Sequence, residues 1–198
     1  MVIDGQPGPE YDEIGEDCPL LSPDGKRVGY VARQGDKQFA VVDGRPGPGC
    51  DGVSEGSLVF SPDSRCFAHV AHEGDKRFVV VDSQPGPEYD EVSEGSLVFS
   101  PDGKRFAYVA GRSDKQLVVV DGQPGPEYDG ISEGSLIFSP DGRRFAYVAR
   151  KGDKQLVVVD GQPGPDYDAI LKGRLACRSN ASFEYLAVRL GRLYRVKQ

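Results

Sequence analysis

The chain has 198 residues, 38% of them hydrophobic and 28% charged, which is enough apolar material to bury one good-sized core. The formal net charge is −7 at pH 7 and the isoelectric point is about 4.9, so the sequence argues against nucleic acid and against an anionic membrane surface as partners. No stretch has the length of a membrane span. No signal peptide is expected because Met1 falls within a repeat, and the compartment is left open.

Two phrases recur at a constant step of 39 residues. One is Asp-Gly-Gln-Pro-Gly-Pro-Glu-Tyr-Asp or a close variant, and a period near forty residues indicates an array of one supersecondary unit. The repeats that begin at Ser96 and Ser135 agree at 30 of 39 positions. The first phrase starts at Asp4, Asp43, Asp82, Asp121 and Asp160, and the second, Ser-Pro-Asp, starts at Ser22, Ser61, Ser100 and Ser139.

In chain order, the repeat that begins at Ser135 predicts four short strands: a (135–139), b (145–149), c (156–159) and d (167–170). Pro140, Asp141 and Gly142 predict a tight turn between a and b. A polar hairpin turn follows b, and a wide turn with two prolines, which block ladder pairing, precedes d. No helical periodicity is present.

Strands b and c are apolar on both faces, and such a sheet must be covered on both faces. Four-stranded sheets stacked around an axis meet that need. The sequence therefore predicts an all-β, five-bladed β-propeller of four-stranded antiparallel blades, in a single domain of residues 1–198.

Closure of the ring follows from what each terminus lacks. The C-terminal stretch from Arg174 supplies strands a, b and c only, and residues 11–14 resemble the missing strand d. We therefore expect the last blade to combine residues 174–198 with 1–17, and residues 11–14 to pair beside 193–196. Residues 1–3 resemble the end of strand c, a slot that we assign to the C-terminal strand.

The run Phe-Ser-Pro-Asp-Gly-Lys-Arg-Phe-Ala-Tyr-Val-Ala at Phe99 resembles the repeat of TolB-type propellers, a branch of the WD-repeat-like families. The resemblance covers the whole chain. It implies the fold and a non-enzymatic scaffold that binds proteins through a propeller face, which is an argument from fold alone. The family's tryptophan in strand a is absent. Its place is taken by phenylalanines, which we expect to be buried alike: Phe60, Phe99 and Phe138.

Candidate catalytic and metal-binding groups are repetitive or isolated. Paired carboxylates can hydrolyse glycosides, but that chemistry needs two acids in different environments, whereas these copies are nearly identical. We interpret them as solvated acids beside inward-facing tyrosines; they are Glu10 and Asp12, Glu88 and Asp90, Glu127 and Asp129, Asp166 and Asp168. Prolines interrupt the spacing that a calcium loop requires. No metal or other cofactor is expected.

The remaining reactive side chains also favour structural roles. His69 replaces a strand-b tyrosine and is interpreted as a core substitution, whereas His72 lies at a hairpin and is expected to be exposed. No serine stands in a nucleophile-elbow phrase. Four cysteines without metal-ligand or redox spacing are expected to be free thiols: Cys18, Cys50, Cys66 and Cys177.

The turn between strands d and a gives the candidate binding site. It carries a glutamate in four units and a basic pair in the fifth, and these turns are expected to ring one mouth of the channel. The residues are Glu16, Glu55, Glu94, Glu133, Lys172 and Arg174. The basic pair either balances charge at the closing blade or recognises an anionic group, for which arginine is well suited.

Three functional hypotheses remain. The first is a non-enzymatic, monomeric scaffold or protein-interaction module, either recently amplified or engineered. The alternative is a lectin-like binder with one shallow site per blade, which gains avidity from repetition. An enzyme with its site on the divergent unit is the third. Equivalent pockets between blades would favour the lectin, and an unbroken flat face would favour the scaffold.

Overall fold

The computed structural model describes residues 2–3, 6–15, 19–173, 175–178 and 182–198. The chain folds as two compact units, Met1–Gly95 and Ser96–Gln198. The described residues form strands and turns, which confirms the predicted all-β class. Among them, no helix is long and apolar enough to cross a membrane.

The strands of the N-terminal unit are β1 (Val2–Ile3), β2 (Gln6–Pro7), β3 (Glu13–Ile14), β4 (Leu20–Leu21), β5 (Val28–Gln34), β6 (Lys37–Val42), β7 (Arg45–Pro46), β8 (Gly52–Val53), β9 (Val59–Phe60), β10 (Phe67–Glu73), β11 (Lys76–Val81), β12 (Gln84–Pro85) and β13 (Glu91–Val92).

The strands of the C-terminal unit are β14 (Val98–Phe99), β15 (Phe106–Arg112), β16 (Lys115–Val120), β17 (Gln123–Tyr128), β18 (Gly130–Ile131), β19 (Ile137–Phe138), β20 (Phe145–Lys151), β21 (Lys154–Val159), β22 (Gln162–Pro163), β23 (Ala169–Ile170), β24 (Ala176–Arg178), β25 (Ser182–Arg189) and β26 (Arg192–Lys197).

A hairpin of two long strands forms the centre of each sheet. The described residues build five such antiparallel sheets, on the hairpins β5–β6 and β10–β11 in the N-terminal unit and β15–β16, β20–β21 and β25–β26 in the C-terminal unit. These hairpins are the predicted strands b and c. In the fourth sheet both strands run two residues further into the turn than the apolar residues do, because Arg150 and Lys151 continue the ladder opposite Gln155 and Lys154.

One edge of each hairpin is covered by two short strands, an arrangement that corrects the predicted order. In the fourth sheet, β18 pairs with Ala149 and Arg150, and β19 pairs with Phe145 and Ala146 of the same long strand β20. The two short strands therefore form one interrupted edge strand. Residues 130–131, which the sequence assigned to the preceding repeat, belong to this sheet.

The segment predicted as strand d is divided between neighbouring sheets. Tyr167 bridges back to Gln155 in the fourth sheet, whereas Ala169 and Ile170 pair forward with β25 in the fifth. Tyr167 and Ile170 are both buried but lie three residues apart, so in a continuous strand they would face opposite sides. The passage from one sheet to the next lets both side chains reach the core.

The turn after strand c is tighter than predicted. Asp160 and Gly161 both have positive φ, 50° and 78°, which is the two-residue type I′ geometry of a hairpin. Gln162 and Pro163 then pair with Val159 and Val158 as β22. Proline is tolerated in this strand because it lies at the sheet edge.

Residues 13–14 also pair forward with the long strand of the following sheet, which corrects the expected pairing of residues 11–14. Glu13 and Ile14 pair with Arg33 and Ala32 of the first sheet rather than with residues 193–196. The slot contested by residues 1–3 is filled by β26, as predicted. Val2–Ile3 pairs instead with Gln6–Pro7.

The phenylalanines of strand a are not equally buried, which contradicts the expectation. Phe60 is buried with 6% of its surface exposed, whereas Phe99 and Phe138 are half-buried. Gly29 explains the difference in the N-terminal unit, because a methyl group placed on it would lie 2.7 Å from Cε2 of Phe67. The next three repeats have alanine there: Ala68, Ala107 and Ala146. The missing methyl lets the Phe67 ring sink and approach Phe60, with a centroid distance of 4.9 Å.

Candidate functional site

The predicted site residues that the structure describes occupy equivalent turns. Each turn connects the two short strands that share one long neighbour, and the glycine after each site residue has φ between 63° and 67°. All four side chains are exposed: Glu55 and Glu94 in the N-terminal unit, Glu133 and Lys172 in the C-terminal unit. Glu16 and Arg174 lie outside the described residues.

A serine anchors each of the three described glutamate-bearing turns to its long strand. The hydroxyl oxygen of Ser135 accepts a hydrogen bond from the N–H of Val148 at 3.0 Å, and Ser57 accepts one from Val70 at 3.1 Å. Each bond satisfies a backbone donor in the gap between the two short strands. The glutamate is therefore presented outward from a well-defined backbone.

The repeated aspartates are structural links between neighbouring repeats. Asp51 binds Nζ of Lys37 at 2.8 Å and accepts the N–H of Gly74 at 2.8 Å, at the hairpin turn of the next sheet. The hydrogen bond from Lys37 holds the pKa of Asp51 below its usual range. Asp168 repeats the pattern with Lys154 and the N–H of Leu190. Each of these aspartates therefore joins a lysine of its own sheet to the hairpin turn of the next sheet.

The predicted inward packing of the phrase tyrosines is confirmed. Tyr89, Tyr128 and Tyr167 are buried, as is Cys50, which takes the tyrosine position in the first repeat. His72, expected to be exposed, is half-buried because it packs over Gly52, where any side chain would collide with its Nε2.

Equivalent grooves lie on both units. The groove of the N-terminal unit measures about 250 Å³ and is lined by Cys50, Glu73 and Phe78 among others. The groove of the C-terminal unit measures about 640 Å³. Two repeats, or 78 residues, separate the corresponding lining positions, which in the second groove are Tyr128, Lys151 and Leu156.

A separate cavity of about 440 Å³, the His69 cavity, lies in the N-terminal unit where the first and second sheets meet. His69 itself is buried, with 3% of its surface exposed, so the expected core position is confirmed. Neither ring nitrogen has a hydrogen-bond partner among the described residues. The lining includes Ala40, Arg45, Gly47, Phe67, His69 and Asp82.

Shortened side chains create the His69 cavity. In the C-terminal unit, the hydroxyl of Tyr147 lies 3.8 Å from a methyl group placed on Gly125, so this phenol reaches the turn of the preceding repeat. Gly47 and His69 hold the equivalent positions in the N-terminal unit, and an imidazole is shorter than a phenol. Ala40 also stands where the next three repeats have a valine: Val79, Val118 and Val157.

Sequence reasoning took these substitutions one at a time and missed the cavity. The sequence could have revealed the cavity, because the substitutions that depart from the repeat are concentrated where the first and second sheets meet. They are Gly29, Ala40, Arg45, Gly49, Cys50, Cys66 and His69.

In the part of the chain that the structure describes, no cysteines are paired in a disulfide and no side chains are grouped as a metal site. Cys50, Cys66 and Cys177 form no disulfide bond, and no group of three or more His, Cys, Asp or Glu residues there is placed to hold a metal ion. Cys18 lies outside the described residues.

No protein-family model and no curated protein matches this sequence. Similar solved structures include TolB from Acinetobacter baumannii, with 16% identity over 94% of this chain and 54% of TolB, at a TM-score of 0.43. Another TolB, from Agrobacterium tumefaciens, has 18% identity over 87% of this chain and 69% of that protein, at a TM-score of 0.41. The β-propeller domain of the Trilobed protease from Pyrococcus furiosus has 13% identity over 91% of this chain and 67% of that domain, at a TM-score of 0.42.

Two of these neighbours are TolB proteins, the kind of propeller that the repeat at Phe99 resembles. The chain spans about half the length of the Acinetobacter TolB. At these identities the neighbours say nothing about the activity or partners of this chain.

Proposed function

We propose that the chain is a non-enzymatic β-propeller that serves as a protein-interaction module, with the glutamate-bearing turns as its contact surface. The observation that carries the proposal is the repetition of one anchored turn, with an exposed carboxylate at the same place in successive repeats. Glu55, Glu94 and Glu133 are exposed in equivalent turns, and Lys172 ends the series.

The chemistry of this surface favours a partner with clustered lysines or arginines. Arginine binds carboxylates through two parallel hydrogen bonds, and complementary charge accelerates encounter and fixes the register of a complex. The net charge of −7 acts in the same direction. Lys172 gives the series a direction, so a partner would bind in one orientation.

The experiment compares two triple variants with the same loss of charge. One replaces Glu55, Glu94 and Glu133 by serine, and the other replaces exposed acids of the outer turns, Glu10, Glu88 and Glu127. Partners enriched by the wild-type chain are identified by mass spectrometry, purified and titrated by calorimetry. We expect at least a tenfold loss of affinity from the first variant alone. Equal losses would mean that only net charge matters.

The lectin-like alternative is favoured by the two equivalent grooves, one in each unit. In the C-terminal groove, carboxylates and lysines beside a tyrosine and prolines supply hydrogen-bonding and apolar surface for a sugar. The N-terminal groove offers two glutamates beside a phenylalanine and prolines, and repetition would raise avidity. A glycan array tests this function. Binding that is lost when Lys151 and Glu127 are both replaced by alanine would support it, whereas an array without hits would exclude it.

We further propose that the ring closes through Tyr11 alone, which would bridge to Leu193 as Tyr167 bridges to Gln155. The support is the open side of β26, where Tyr194 is 40% exposed although Leu117 and Leu156, its equivalents, are buried. Deletion of residues 1–11 should lower the melting temperature while Glu13 and Ile14 remain in place. A deletion variant as stable and monomeric as the full chain would refute closure.

A further inference from the structure

The His69 cavity carries polar groups that the fold itself does not use. His69 is almost fully buried, yet both ring nitrogens lack partners among the described residues. Burial lowers its pKa to about 4, so the imidazole is neutral near pH 7 and offers one N–H donor and one acceptor. The hydroxyls of Tyr30, Tyr147 and Tyr185 at the equivalent positions also lack partners among the described residues, so it is the imidazole together with the cavity beside it that points to a ligand.

A carboxylate without a cation lies in the same wall. In the other repeats the residue equivalent to Asp82 binds an arginine, as Asp43 does with Arg27 at 2.9 Å and Asp121 does with Arg105 at 2.8 Å. Cys66 replaces that arginine in the second repeat and offers Asp82 only a thiol hydrogen bond. Asp82 also accepts the N–H of Phe67 at 3.0 Å and has no cationic partner in the described part of the chain.

The third polar group of the cavity is a guanidinium without an anionic partner among the described residues. Arg45 replaces the glutamine found at the same place in the other repeats, is exposed at the cavity rim, and makes no ion pair with any residue that the structure describes. The rest of the wall combines the Arg27–Asp43 ion pair and Ser83 with apolar side chains that include Ala40 and Phe67. The cavity volume of about 440 Å³ falls within the usual range of about 300–1,000 Å³ for small-molecule sites.

We propose that the His69 cavity binds a small zwitterion of the free amino acid class. Its carboxylate would bind Arg45, its ammonium group would bind Asp82, and an uncharged side chain would extend beside Ala40 and Phe67 toward His69. The pairing of one free cation with one free anion favours a ligand that carries both charges over a simple anion or cation. This site goes beyond the proposed protein-binding surface and uses different residues.

The test is a thermal shift screen of the whole chain at pH 7.5 with each of the twenty common L-amino acids, followed by calorimetry. Acetate and ethylammonium, which each carry one of the two charges, serve as partial ligands. We expect an amino acid with an uncharged side chain to raise the melting temperature by about 5 °C at a hundredfold excess over Kd. Neither partial ligand should match it at equal concentration.

Three variants place the binding in this cavity. The double change Ala40→Val and His69→Tyr restores the side chains of the other repeats, fills the cavity and should abolish binding. Arg45→Gln, an exposed change, should weaken binding at least tenfold even if the double variant folds poorly. Gln123→Arg, the matched change in the C-terminal unit, should leave binding unchanged. The proposal fails if no amino acid binds, if acetate binds as tightly, or if Arg45→Gln binds like the wild type.

Discussion

The meeting of the first and second sheets, in the N-terminal unit, contrasts with the meeting of the third and fourth, in the C-terminal unit. In the latter, Tyr128 and Tyr147 pack edge to face with ring centroids 6.3 Å apart, and Val118 belongs to the same buried cluster. In the former, Cys50 and His69 take the tyrosine positions, and a cavity remains. The hairpin ladders are the same in both. Ladder pairing therefore sets the shape of the repeat, whereas the aromatic pair between sheets can be replaced without a change in that shape.

The largest expected effect separates the two aromatic positions. Tyr147→Ala should reduce the free energy of unfolding by about 3–5 kcal/mol, the cost of deleting a large buried aromatic side chain from a packed core. His69→Ala removes a side chain that already borders empty space and should cost less than half as much. Urea unfolding at pH 7.5 measures both. Equal costs would show that the first interface is packed as tightly as the second.

The histidine should also make stability depend on pH. Its pKa is about 4 in the folded chain and about 6.5 when unfolded, so above pH 6.5 both states are neutral and the residue has no effect. As pH falls from 6.5 to 4 the unfolded state alone takes up a proton, and the folded state loses about 3 kcal/mol relative to it.

The control for this pH effect is His69→Tyr, which retains the charged residues Arg27, Asp43, Arg45 and Asp82 around the cavity. The stability difference between this variant and the wild type, followed by urea unfolding from pH 7.5 to 4, should change by the stated amount. A constant difference would show that the imidazole has the same pKa in the folded chain as in the unfolded chain.

Gly29→Ala tests the close approach of the Phe67 ring to Gly29 where the first and second sheets meet. The added methyl group would lie 2.7 Å from the ring of Phe67, so the ring must move outward. Overpacking of this kind costs about 1–3 kcal/mol, although alanine is the native residue at the equivalent positions Ala107 and Ala146. Chemical unfolding measures the loss. An unchanged stability would mean that the Phe67 ring has room to return to the position seen in other repeats.

The smallest effect is a gain. Ala40→Val together with His69→Tyr should stabilise the chain by about 1–2 kcal/mol in the absence of ligand, because a filled cavity recovers packing contacts. A rise of a few degrees in the melting temperature is the measured outcome. A decrease would indicate that the two sheets approach each other too closely for a phenol at position 69.

The hairpins were predictable because their residues are apolar on both faces and lie between polar turns. The edge strands of the sheets were not predictable. Gly130–Ile131 and Ala169–Ile170 are only two residues long, which is too short to show which neighbouring sheet each strand joins. The turn sites could be placed by register alone. The His69 cavity needed three dimensions, because Ala40, Arg45, His69 and Asp82 look like unrelated substitutions in the sequence.

The division of each phrase between two sheets bears on how such a gene can grow. Because the tyrosine end closes one sheet and the isoleucine end opens the next, a duplicated stretch of 39 codons restores both edges wherever the duplication begins. Unequal recombination can therefore add a sheet without leaving an unpaired border on either side. The 30 shared positions of the repeats at Ser96 and Ser135 are what a recent event of this kind would leave behind.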